Sequence, residues 1–501
     1  MLIPDVIDSF LAGAARWPQR AAIRLRGQES SYEAFEDRVR RFAAAFAERG
    51  AERVMIALPQ GGDAYAAMLG AGLAGCLYAP ANAESPAERL QRIAGALQPQ
   101  IVVAEPALAK ALATAAPQAA LVTGQERLPA PLAGRGRRHE IAYVMFTSGT
   151  TGTPKGVVVP RAALDHYAEW IRRSGTVAAH DRVAQFSNIA FDVSVTDIYG
   201  ALALGATLYP VVGGMDRNFP ARMIEREKLT VWNSTPSVIS LMMRAGEVCP
   251  QRLASLRLVN MLGEPLLGTH LDAIFRARPD LVVQNTYGPT ETTVSVTELL
   301  LRSEDYSQAC ASSVAIGAPI EGMGLHLIGG AHPDEGEIAI TGPQLALGYW
   351  NDAQRTAASF RAIRVAGEER RAYFTGDWAE RKGGRIYFRE RIDLQVKIRG
   401  FRLELDEVAR ALNDLGFAVV CVFKRDEELA ALIEGRAEPR WDEARVRAAL
   451  ARRLESYAVP AVVRWIDHLP RNANDKLDRR AAADWLEARM ASERAARAPA
   501  A

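Results

Sequence analysis

Residues 146–156 read Phe146-Thr147-Ser148-Gly149-Thr150-Thr151-Gly152-Thr153-Pro154-Lys155-Gly156. The apolar run that leads into them, Ile141 to Phe146, predicts a buried strand that ends in a polar loop. Hydroxyl groups, backbone amides beside the glycines and the Lys155 ammonium can together bind phosphate oxygens. The spacing differs from Gly-x-x-x-x-Gly-Lys-Ser/Thr, so we predict a phosphate loop of another kind. The alternative is a polar connector between two strands.

The composition of the chain limits the classes of function. At 501 residues the chain can bury a large core, and we expect at least two domains. Its 61 Lys and Arg residues nearly balance 59 Asp and Glu residues, which gives no electrostatic reason to expect nucleic acid or a membrane as partner. Asp5 and Asp8 argue against a signal peptide, and no apolar run is long enough to span a bilayer. We therefore expect a soluble, cytoplasmic protein without membrane insertion.

Helical patterns alternate with short apolar segments along the chain. Val54–Leu58, Ile101–Val103 and Leu281–Val283 are typical of buried strands. The four cysteines lie far apart and have no metal-ligand spacing. The alternation predicts an α/β architecture.

Further motifs follow the phosphate loop. In Asn285-Thr286-Tyr287-Gly288-Pro289-Thr290-Glu291, a Gly-Pro turn presents Tyr287 as a stacking surface and Glu291 as an oxygen ligand for Mg²⁺. Asp377 follows Gly376, and we expect it at the end of a strand, where it can accept both hydroxyls of a ribose. The segments Arg391–Gly400 and Asn474–Arg479 complete the series.

The order and content of these motifs resemble the ANL superfamily of adenylate-forming enzymes, specifically the adenylation domains of nonribosomal peptide synthetases and their free-standing relatives. The resemblance covers essentially the whole chain. It implies an α/β fold with a large multi-subdomain N-terminal adenylate-forming domain, residues 1–392. A small mobile α+β C-terminal domain, residues 393–501, would carry the catalytic lysine.

The same resemblance implies a role for each motif residue. The catalytic candidates are Lys476, Thr290 and Glu291, the last of which also binds Mg²⁺. Asp393 is the expected hinge, and Gly400 is expected to line the path of a pantetheine thiol. Gly263 and Glu264 face the adenine, Tyr287 stacks on it, and Asp377 and Arg391 hold the ribose. The residues expected to bind ATP are Thr147, Ser148, Gly149, Thr150, Thr151, Gly152, Lys155, Gly263, Glu264, Asn285, Thr286, Tyr287, Asp377 and Arg391.

Asp192, in Phe191-Asp192-Val193-Ser194, carries the expectation about the substrate. In the family an Asp at this position pairs with the α-ammonium group of an amino acid, whereas activators of aryl acids have a neutral residue. The alternative is a local turn in which Asp192 bonds near Ser194. The pocket lacks a large aromatic side chain, which favours a small or short polar amino acid. Its expected residues are Asp192, Val193, Thr196, Ser237, Asn260, Leu262, Thr286, Val294 and Ser295.

The residues around this pocket are more similar to the D-alanine–D-alanyl carrier protein ligases than to a peptide-synthetase module. Those ligases have a small Cys where this chain has Leu262, so D-alanine and another small amino acid both remain open. No carrier-domain serine motif follows Lys476, which predicts a separate phosphopantetheinylated carrier protein as the acceptor.

Three other functions remain as alternatives. An acyl- or aryl-CoA ligase of the same fold shares every ATP motif, and only Asp192 and the polar pocket argue against it. A non-catalytic interaction protein would have no need of Lys155, Asp377 and Lys476. A nucleotide hydrolase that needs no carboxylate substrate is disfavoured, because the loop is not of the P-loop type.

Overall fold

A computed structural model describes residues 3–123, 128–136, 139–147, 154–393, 395–436, 439–471 and 477–497. The chain divides into two compact units, of which the first comprises Met1–Glu84, Ile93–Phe146 and Lys155–Asp393. The second consists mainly of the chain after Asp393. No helix within these described ranges is both long enough and apolar enough to cross a membrane.

The strands of the described residues form five sheets. In chain order they are β1 (Ala21–Leu25), β2 (Gln28–Ser31), β3 (Arg53–Ala57), β4 (Leu77–Pro80), β5 (Ile101–Ala104), β6 (Ala120–Val122), β7 (Ile141–Thr147), β8 (Lys155–Pro160), β9 (Arg182–Gln185), β10 (Thr207–Pro210), β11 (Val231–Ser234), β12 (Leu258–Met261), β13 (Val282–Tyr287), β14 (Thr297–Leu301), β15 (Ala318–Pro319), β16 (Gly324–Gly329), β17 (Glu335–Thr341), β18 (Gly348–Tyr349), β19 (Phe360–Val365), β20 (Glu368–Lys382), β21 (Arg385–Arg391), β22 (Gln395–Ile398), β23 (Phe401–Glu404), β24 (Val420–Arg425), β25 (Glu428–Glu434) and β26 (Val462–Ile466).

The α-helices connect or cover these strands. They are α1 (Val6–Arg16), α2 (Tyr32–Glu48), α3 (Gly62–Ala74), α4 (Ala87–Leu97), α5 (Pro106–Leu112), α6 (Arg161–Ser174), α7 (Val193–Leu204), α8 (Gly214–Asn218), α9 (Pro220–Glu227), α10 (Pro236–Arg244), α11 (Gly268–Ala277), α12 (Ala353–Ser359), α13 (Leu405–Asn413), α14 (Glu443–Leu450) and α15 (Arg479–Arg497). Short 3₁₀ turns occupy Thr290–Thr292, Tyr306–Ala309 and Ser456–Ala458.

The first unit contains three sheets, and the parallel strands of two of them alternate with helices. The largest has the order β15-β14-β13-β12-β11-β9-β10-β1-β2, and its segment from β13 to β1 is parallel. A second sheet has the order β18-β8-β7-β4-β3-β5-β6, and a third joins β16, β17, β20 and β19, with β21 on β20. Parallel strands need crossover helices, which cover the faces of the sheet and make apolar strands buried on both sides. The α/β fold predicted from the sequence is confirmed.

Helix α7 is surrounded by protein, as its apolar sequence predicts. Val193–Leu204 is apolar on nearly every side, and such a helix is stable only when it is surrounded by protein. Its residues Val195, Ile198 and Leu202 are fully buried in the main core. The helix ends at Gly205, whose positive φ of 81° gives the left-handed conformation that favours glycine at a helix C-terminus. This buried helix begins directly after Asp192.

The second unit contains a hairpin and a small sheet. The hairpin pairs β22 with β23, and the sheet has the order β24-β25-β26. Ile398 pairs with Phe401, so Arg399 and Gly400 form a two-residue turn, and both have positive φ, 51° and 84°. A hairpin turn of this type favours glycine, which gives Gly400 a structural reason besides its expected place near the thiol path.

Candidate active site

The predicted pocket residues lie at the carboxyl ends of neighbouring parallel strands. Strands β9, β11, β12 and β13 are adjacent and parallel. Asp192 follows β9, Ser237 follows β11, Asn260 and Leu262 stand at the end of β12, and Thr286 stands at the end of β13. The carboxyl ends of parallel strands form the usual ligand-binding edge of an α/β sheet. The topology therefore brings the predicted set to one edge.

Buried hydrogen bonds connect several of these side chains. Ser295 Oγ donates to Thr286 Oγ1 over 3.2 Å, and Thr286 Oγ1 donates to Asn260 Oδ1 over 3.1 Å. Thr196 Oγ1 lies 2.7 Å from the hydroxyl of Tyr167. In the part of the chain that the structure describes, Asn260 Nδ2 has no hydrogen-bond partner although the residue is fully buried. A buried donor without a partner is costly, so Asn260 is a candidate contact for a polar ligand.

Strained backbone precedes Ser295. Thr293 and Val294 have φ of 59° and 69°, a region that β-branched residues rarely adopt. Thr293 Oγ1 donates to Gln344 O over 2.8 Å, and Gln344 Nε2 donates to Ser295 O over 3.1 Å. Such conformations cost about 1–3 kcal/mol each and are maintained by their surroundings, often at functional sites. Gln344, which the sequence did not single out, thus holds the pocket segment in shape.

Asp192 lies at the N-terminus of α7 and is half-buried. Among the described residues its carboxylate makes no capping hydrogen bond to the helix. The Ser194 hydroxyl donates to Ile189 O over 3.4 Å, and the Ser194 amide donates to Phe191 O. These two hydrogen bonds of Ser194 go to the backbone of Ile189 and Phe191 rather than to the Asp192 side chain.

Tyr143 belongs to the surroundings of Asp192. Burial raises the pKa of the Tyr143 hydroxyl well above its ordinary value, and the negative charge of Asp192 raises it further. Within the described residues this fully buried hydroxyl has no hydrogen-bond partner. Tyr143 was not among the predicted site residues. The sequence could have indicated it, since Tyr143 carries the one side-chain oxygen in the apolar run Ile141–Phe146.

A second carboxyl group, Asp197, lies on the same helix and is fully buried. Burial raises its pKa well above the usual range, although Asn233 Nδ2, which donates to Oδ1 over 2.7 Å, and the Phe186 amide act in the opposite direction. In the described residues its Oδ2 has no hydrogen-bond partner. A carboxyl group whose charged form is disfavoured by burial is a poor counter-ion for an ammonium group. Asp197 therefore does not duplicate the role expected of Asp192.

The raised pKa of Asp197 predicts a pH-dependent stability. Above the pKa of about 3.9 in the unfolded chain, the unfolded state loses this proton while the folded state keeps it. The free energy of unfolding therefore falls as the pH rises from there toward the folded pKa. Asp197→Asn removes this effect, and we expect the melting temperature of the variant, relative to the wild type, to rise between pH 5 and pH 8.

The pKa of Asp181 is shifted in the opposite direction, so this residue serves as a control. Burial acts to raise its pKa, but hydrogen bonds from Arg257, Thr230 and the Ala178 amide outweigh it and lower the pKa. Its stabilising contribution is therefore present above the unfolded pKa and is lost as the pH falls through the folded pKa. Asp181→Asn should destabilise the protein at pH 8. If the two variants followed the same pH trend, a neutral Asp197 would be ruled out.

The expected adenine residues are tied to the amino-acid pocket. Glu264 Oε2 accepts a 2.8 Å hydrogen bond from the backbone amide of Ser237 at the N-terminus of α10. Thr235 Oγ1 and Ser237 Oγ lie 2.9 Å apart. Gly263 has a positive φ of 84°, which lets the chain turn between β12 and Glu264. One carboxylate thus fixes the turn that carries Ser237.

The expected ribose residues form a connected group. Tyr287 donates from its hydroxyl to Asp377 Oδ2 over 2.6 Å, and Arg391 Nη1 donates to Asp377 Oδ1 over 2.7 Å. Arg391 also holds Asp393 through two bonds of 2.7 and 2.6 Å. Burial raises the pKa of Tyr287 well above its ordinary value, and Asp377 raises it further. The group links the expected stacking residue, ribose ligand and hinge.

The expectation that Asp377 ends a strand was wrong. The residue lies inside the long strand β20 and pairs with Arg391 on β21. The register between the strands shifts immediately after it, between Trp378 and Ala379, and Gly376 has a positive φ of 74°. A bulge in a continuous strand, rather than a strand end, thus accompanies the carboxylate.

Lys155, Glu291 and Tyr349 form a buried triangle. Lys155 Nζ lies 3.0 Å from Glu291 Oε1, and the Tyr349 hydroxyl donates to the same oxygen over 2.9 Å. The Lys155 ammonium also lies over the Tyr349 ring, 4.7 Å from its centroid. Thr290 is buried beside Glu291 in the 3₁₀ turn Thr290–Thr292. No role was assigned to Tyr349 from the sequence.

Several predicted residues also belong to strands or to the apolar core, and others lie outside the described residues. Thr147 ends β7, and Asn285 Nδ2 donates to Ala315 O over 2.8 Å. Leu262 and Val294 are buried in the main core, and Val193 packs against it. Outside the described residues lie Ser148, Gly149, Thr150, Thr151, Gly152 and Lys476.

The comparisons with known proteins decide the family. The AMP-binding enzyme family model matches residues 10–350. The chain belongs to this family. A D-alanine–D-alanyl carrier protein ligase of Staphylococcus aureus (strain MRSA252) is 30% identical over 500 residues, which cover 96% of this chain and 99% of the relative.

Two solved structures resemble this AMP-binding enzyme over nearly its whole length. The Vibrio cholerae adenylation domain AlmE, in complex with glycyl-adenosine-5′-phosphate, has a TM-score of 0.85 and 27% identity over 97% of this chain and 99% of its own. A nonribosomal peptide synthetase protein containing adenylation and PCP domains, bound to a vinylsulfonamide inhibitor, has a TM-score of 0.80 and 26% identity. It is matched over 96% of this chain and 84% of its own. The resemblance predicted from the motifs is confirmed.

The family to which this AMP-binding enzyme belongs implies a Mg²⁺ ion, which its residues would have to bind. In the described ranges no group of three or more His, Cys, Asp or Glu side chains could hold a metal ion by itself. Mg²⁺ in nucleotide sites usually needs only one or two carboxylates, because phosphate oxygens and water complete its shell. Glu291 fits that requirement, because it is a buried carboxylate that pairs with the ammonium group of Lys155.

Proposed function

We propose that this AMP-binding enzyme activates a small amino acid with ATP and transfers it to the phosphopantetheine thiol of a separate carrier protein. Asp192 carries the proposal, because this half-buried carboxylate stands at the N-terminus of α7, where its charge acts on the buried hydroxyls of Tyr143 and Tyr167. AlmE binds glycyl-adenosine-5′-phosphate, and the ligase relative acts on D-alanine, so both relatives support a small amino acid as the substrate.

The first half-reaction joins two anions. A carboxylate oxygen of the amino acid attacks the α-phosphorus of ATP, a new P–O bond forms, and pyrophosphate leaves. Asp192 binds the α-ammonium group, Tyr287 stacks on the adenine, and Asp377 with Arg391 holds the ribose. Lys155 binds the phosphate groups and Lys476 binds the reacting oxygens, so that preorganised cations offset the charge repulsion. Glu291, with Thr290 beside it, is the proposed ligand of Mg²⁺, which neutralises phosphate charge when bound.

The second half-reaction uses the adenylate as an activated acyl group. The carrier thiol attacks the carbonyl carbon, a C–S bond forms, the C–O bond to phosphate breaks, and AMP leaves. We place the core of the enzyme in residues 1–392 and the mobile domain in residues 393–501, with Asp393 as hinge and Gly400 on the thiol path. The sequence boundary between the two compact units, at Asp393 and Leu394, supports this division. Such a domain change would separate the two half-reactions.

Exchange of pyrophosphate into ATP tests this proposal. The wild type is incubated with a panel of amino acids, aryl acids and fatty acids, and exchange is measured for each. We expect exchange to depend on a small amino acid, with glycine, alanine and serine ahead of large side chains. Exchange that prefers an aryl or fatty acid would identify an acyl- or aryl-CoA ligase, and no exchange with any acid would favour a non-catalytic protein.

Leu262 is the pocket residue at which a substrate preference can be shifted. It is buried at the end of β12, and its amide donates to Ser234 O over 3.1 Å. If its side chain bounds the substrate, Leu262→Cys enlarges the space at the α-carbon. We expect the variant to gain activity with D-alanine relative to the preferred amino acid by about 1–3 kcal/mol, the usual effect of one or two methylene groups in an apolar pocket.

The test of Leu262 compares exchange with D-alanine, L-alanine, glycine and L-serine. Leu262→Met serves as the matched control, because it keeps the side-chain volume and should leave the ranking unchanged. An identical ranking for Leu262→Cys and the wild type would remove Leu262 from the pocket.

A further inference from the structure

Tyr349 is attached through its backbone to the strand that begins with Lys155. The short strand β18 runs antiparallel to β8, with Tyr349 opposite Val157. The hydrogen bond of Trp350 N to Gly156 O, at 2.7 Å, extends this pairing. The Tyr349 amide is held from the other side by Thr356 Oγ1 at 2.9 Å. The ring is therefore fixed relative to the base of the Lys155 side chain.

The Tyr349 side chain contacts both members of the buried ion pair. Its hydroxyl donates to Glu291, and its ring face receives the Lys155 ammonium. Lys155 and Tyr349 are each only 7% exposed, and Glu291 is fully buried. An ion pair removed from water in this way is stable only when further polar contacts compensate for the lost hydration. Tyr349 supplies one such contact to each charge.

The two contacts of Tyr349 differ in how much movement they allow the group that is bound. Lys155 and Tyr349 both bind Oε1 of Glu291, which fixes the carboxylate. The attraction between an ammonium group and a ring face is less directional than a hydrogen bond, and it is stronger where water is excluded. An ammonium group can therefore turn from the carboxylate toward a phosphate oxygen while it stays over the ring. The Glu291 carboxylate remains held by the Tyr349 hydroxyl during that change.

We propose that Tyr349 is a positioning residue for ATP binding: its ring holds the Lys155 ammonium ready for a phosphate oxygen while its hydroxyl retains Glu291. The inference rests on the proposed function, in which Lys155 binds the phosphates of ATP. It goes beyond that function, because it assigns a residue that acts on ATP only through Lys155 and Glu291.

A purely structural role for the ring is the competing explanation. Tyr349 packs edge-on against Phe360, with ring centroids 5.9 Å apart. Loss of that packing would destabilise the fold whether or not Lys155 is present. A positioning role predicts instead that the effect of changing Tyr349 disappears when Lys155 is removed. A double-mutant cycle separates these two explanations.

The experiment measures the dissociation constant of ATP with saturating Mg²⁺, by calorimetry on the full chain without any carboxylic acid. Tyr349→Phe, Tyr349→Met and Tyr349→Leu are each made in the wild type and in Lys155→Met. The Phe variant keeps the ring and loses the hydroxyl, whereas Met and Leu lose both. Met and Leu differ in shape, so at least one of the two variants should fold, and one is enough for the test. Thermal unfolding shows which variant is folded.

With Lys155 present, we expect Tyr349→Met or Tyr349→Leu to weaken ATP binding about tenfold, and Tyr349→Phe at most about threefold. In the Lys155→Met background, each change should alter the dissociation constant less than about twofold. Equal losses in the two backgrounds, or no loss with Lys155 present, would overturn the inference alone. Failure of the wild type to bind ATP with Mg²⁺ would overturn the proposed function and this inference with it.

Discussion

Lys476→Ala is expected to slow formation of the aminoacyl-adenylate at least about a hundredfold, while the affinity for ATP changes little. A lysine that acts mainly on charge developing in the transition state lowers the rate rather than the ground-state binding. Adenylation is measured by pyrophosphate exchange, and ATP binding is measured separately by calorimetry.

The second half-reaction should respond differently from adenylation in this variant. Thioester formation from a pre-made aminoacyl-adenylate should survive in Lys476→Ala, because the proposed hinge motion separates the two half-reactions. Lys110→Ala is the matched control, since Lys110 is an exposed lysine on helix α5 and belongs to no predicted site. An equal fall of both half-reactions in Lys476→Ala would contradict the domain-alternation account.

Asp192→Asn is expected to lower kcat/KM for the amino acid at least about a hundredfold and to leave the affinity for ATP nearly unchanged. The variant leaves the substrate ammonium without its counter-charge, and breaking a buried charge pair typically costs about 3–5 kcal/mol. The same variant should gain activity with the corresponding acid that lacks the amino group. Steady-state exchange with both acids measures this change.

Asp197→Asn is the matched control for Asp192→Asn, because it makes the same chemical change on the same helix. Burial raises the pKa of its carboxyl group well above the usual range, which disfavours the charged form, so amino-acid activation should be retained. If Asp192→Asn kept its amino-acid exchange, the main reason for assigning an amino acid as substrate would disappear.

The sequence predicted those features that depend on local pattern. The apolar run before the phosphate loop forms β7, and the strands expected near Val54, Ile101 and Leu281 are present. The predicted pocket residues gather at one edge because strands β9, β11, β12 and β13 are parallel and adjacent, which is consistent with the motif order. Local periodicity and chain order thus gave the architecture.

Features that depend on distant packing were missed. Tyr349 contacts Glu291, which lies 58 residues before it in the chain, and Lys155, which lies further away still, and no local sequence pattern predicts such contacts. The bulge at Asp377 depends on its pairing with β21, and the raised pKa of Asp197 depends on complete burial. Periodicity indicates which face of an element is buried, but it does not identify the atoms that meet there.

Binding of non-hydrolysable acyl-sulfamoyl adenosines tests the central claim most directly, because it requires neither turnover nor the natural carrier. Dissociation constants are measured for glycyl and D-alanyl sulfamoyl adenosine, for their counterparts without the amino group, and for an aryl and a fatty acyl analogue. We predict that at least one aminoacyl analogue binds at least about a hundredfold more tightly than its counterpart without the amino group, and more tightly than the aryl and fatty acyl analogues. Equal binding with and without the amino group, or a preference for the aryl or fatty acyl analogue, would contradict the account.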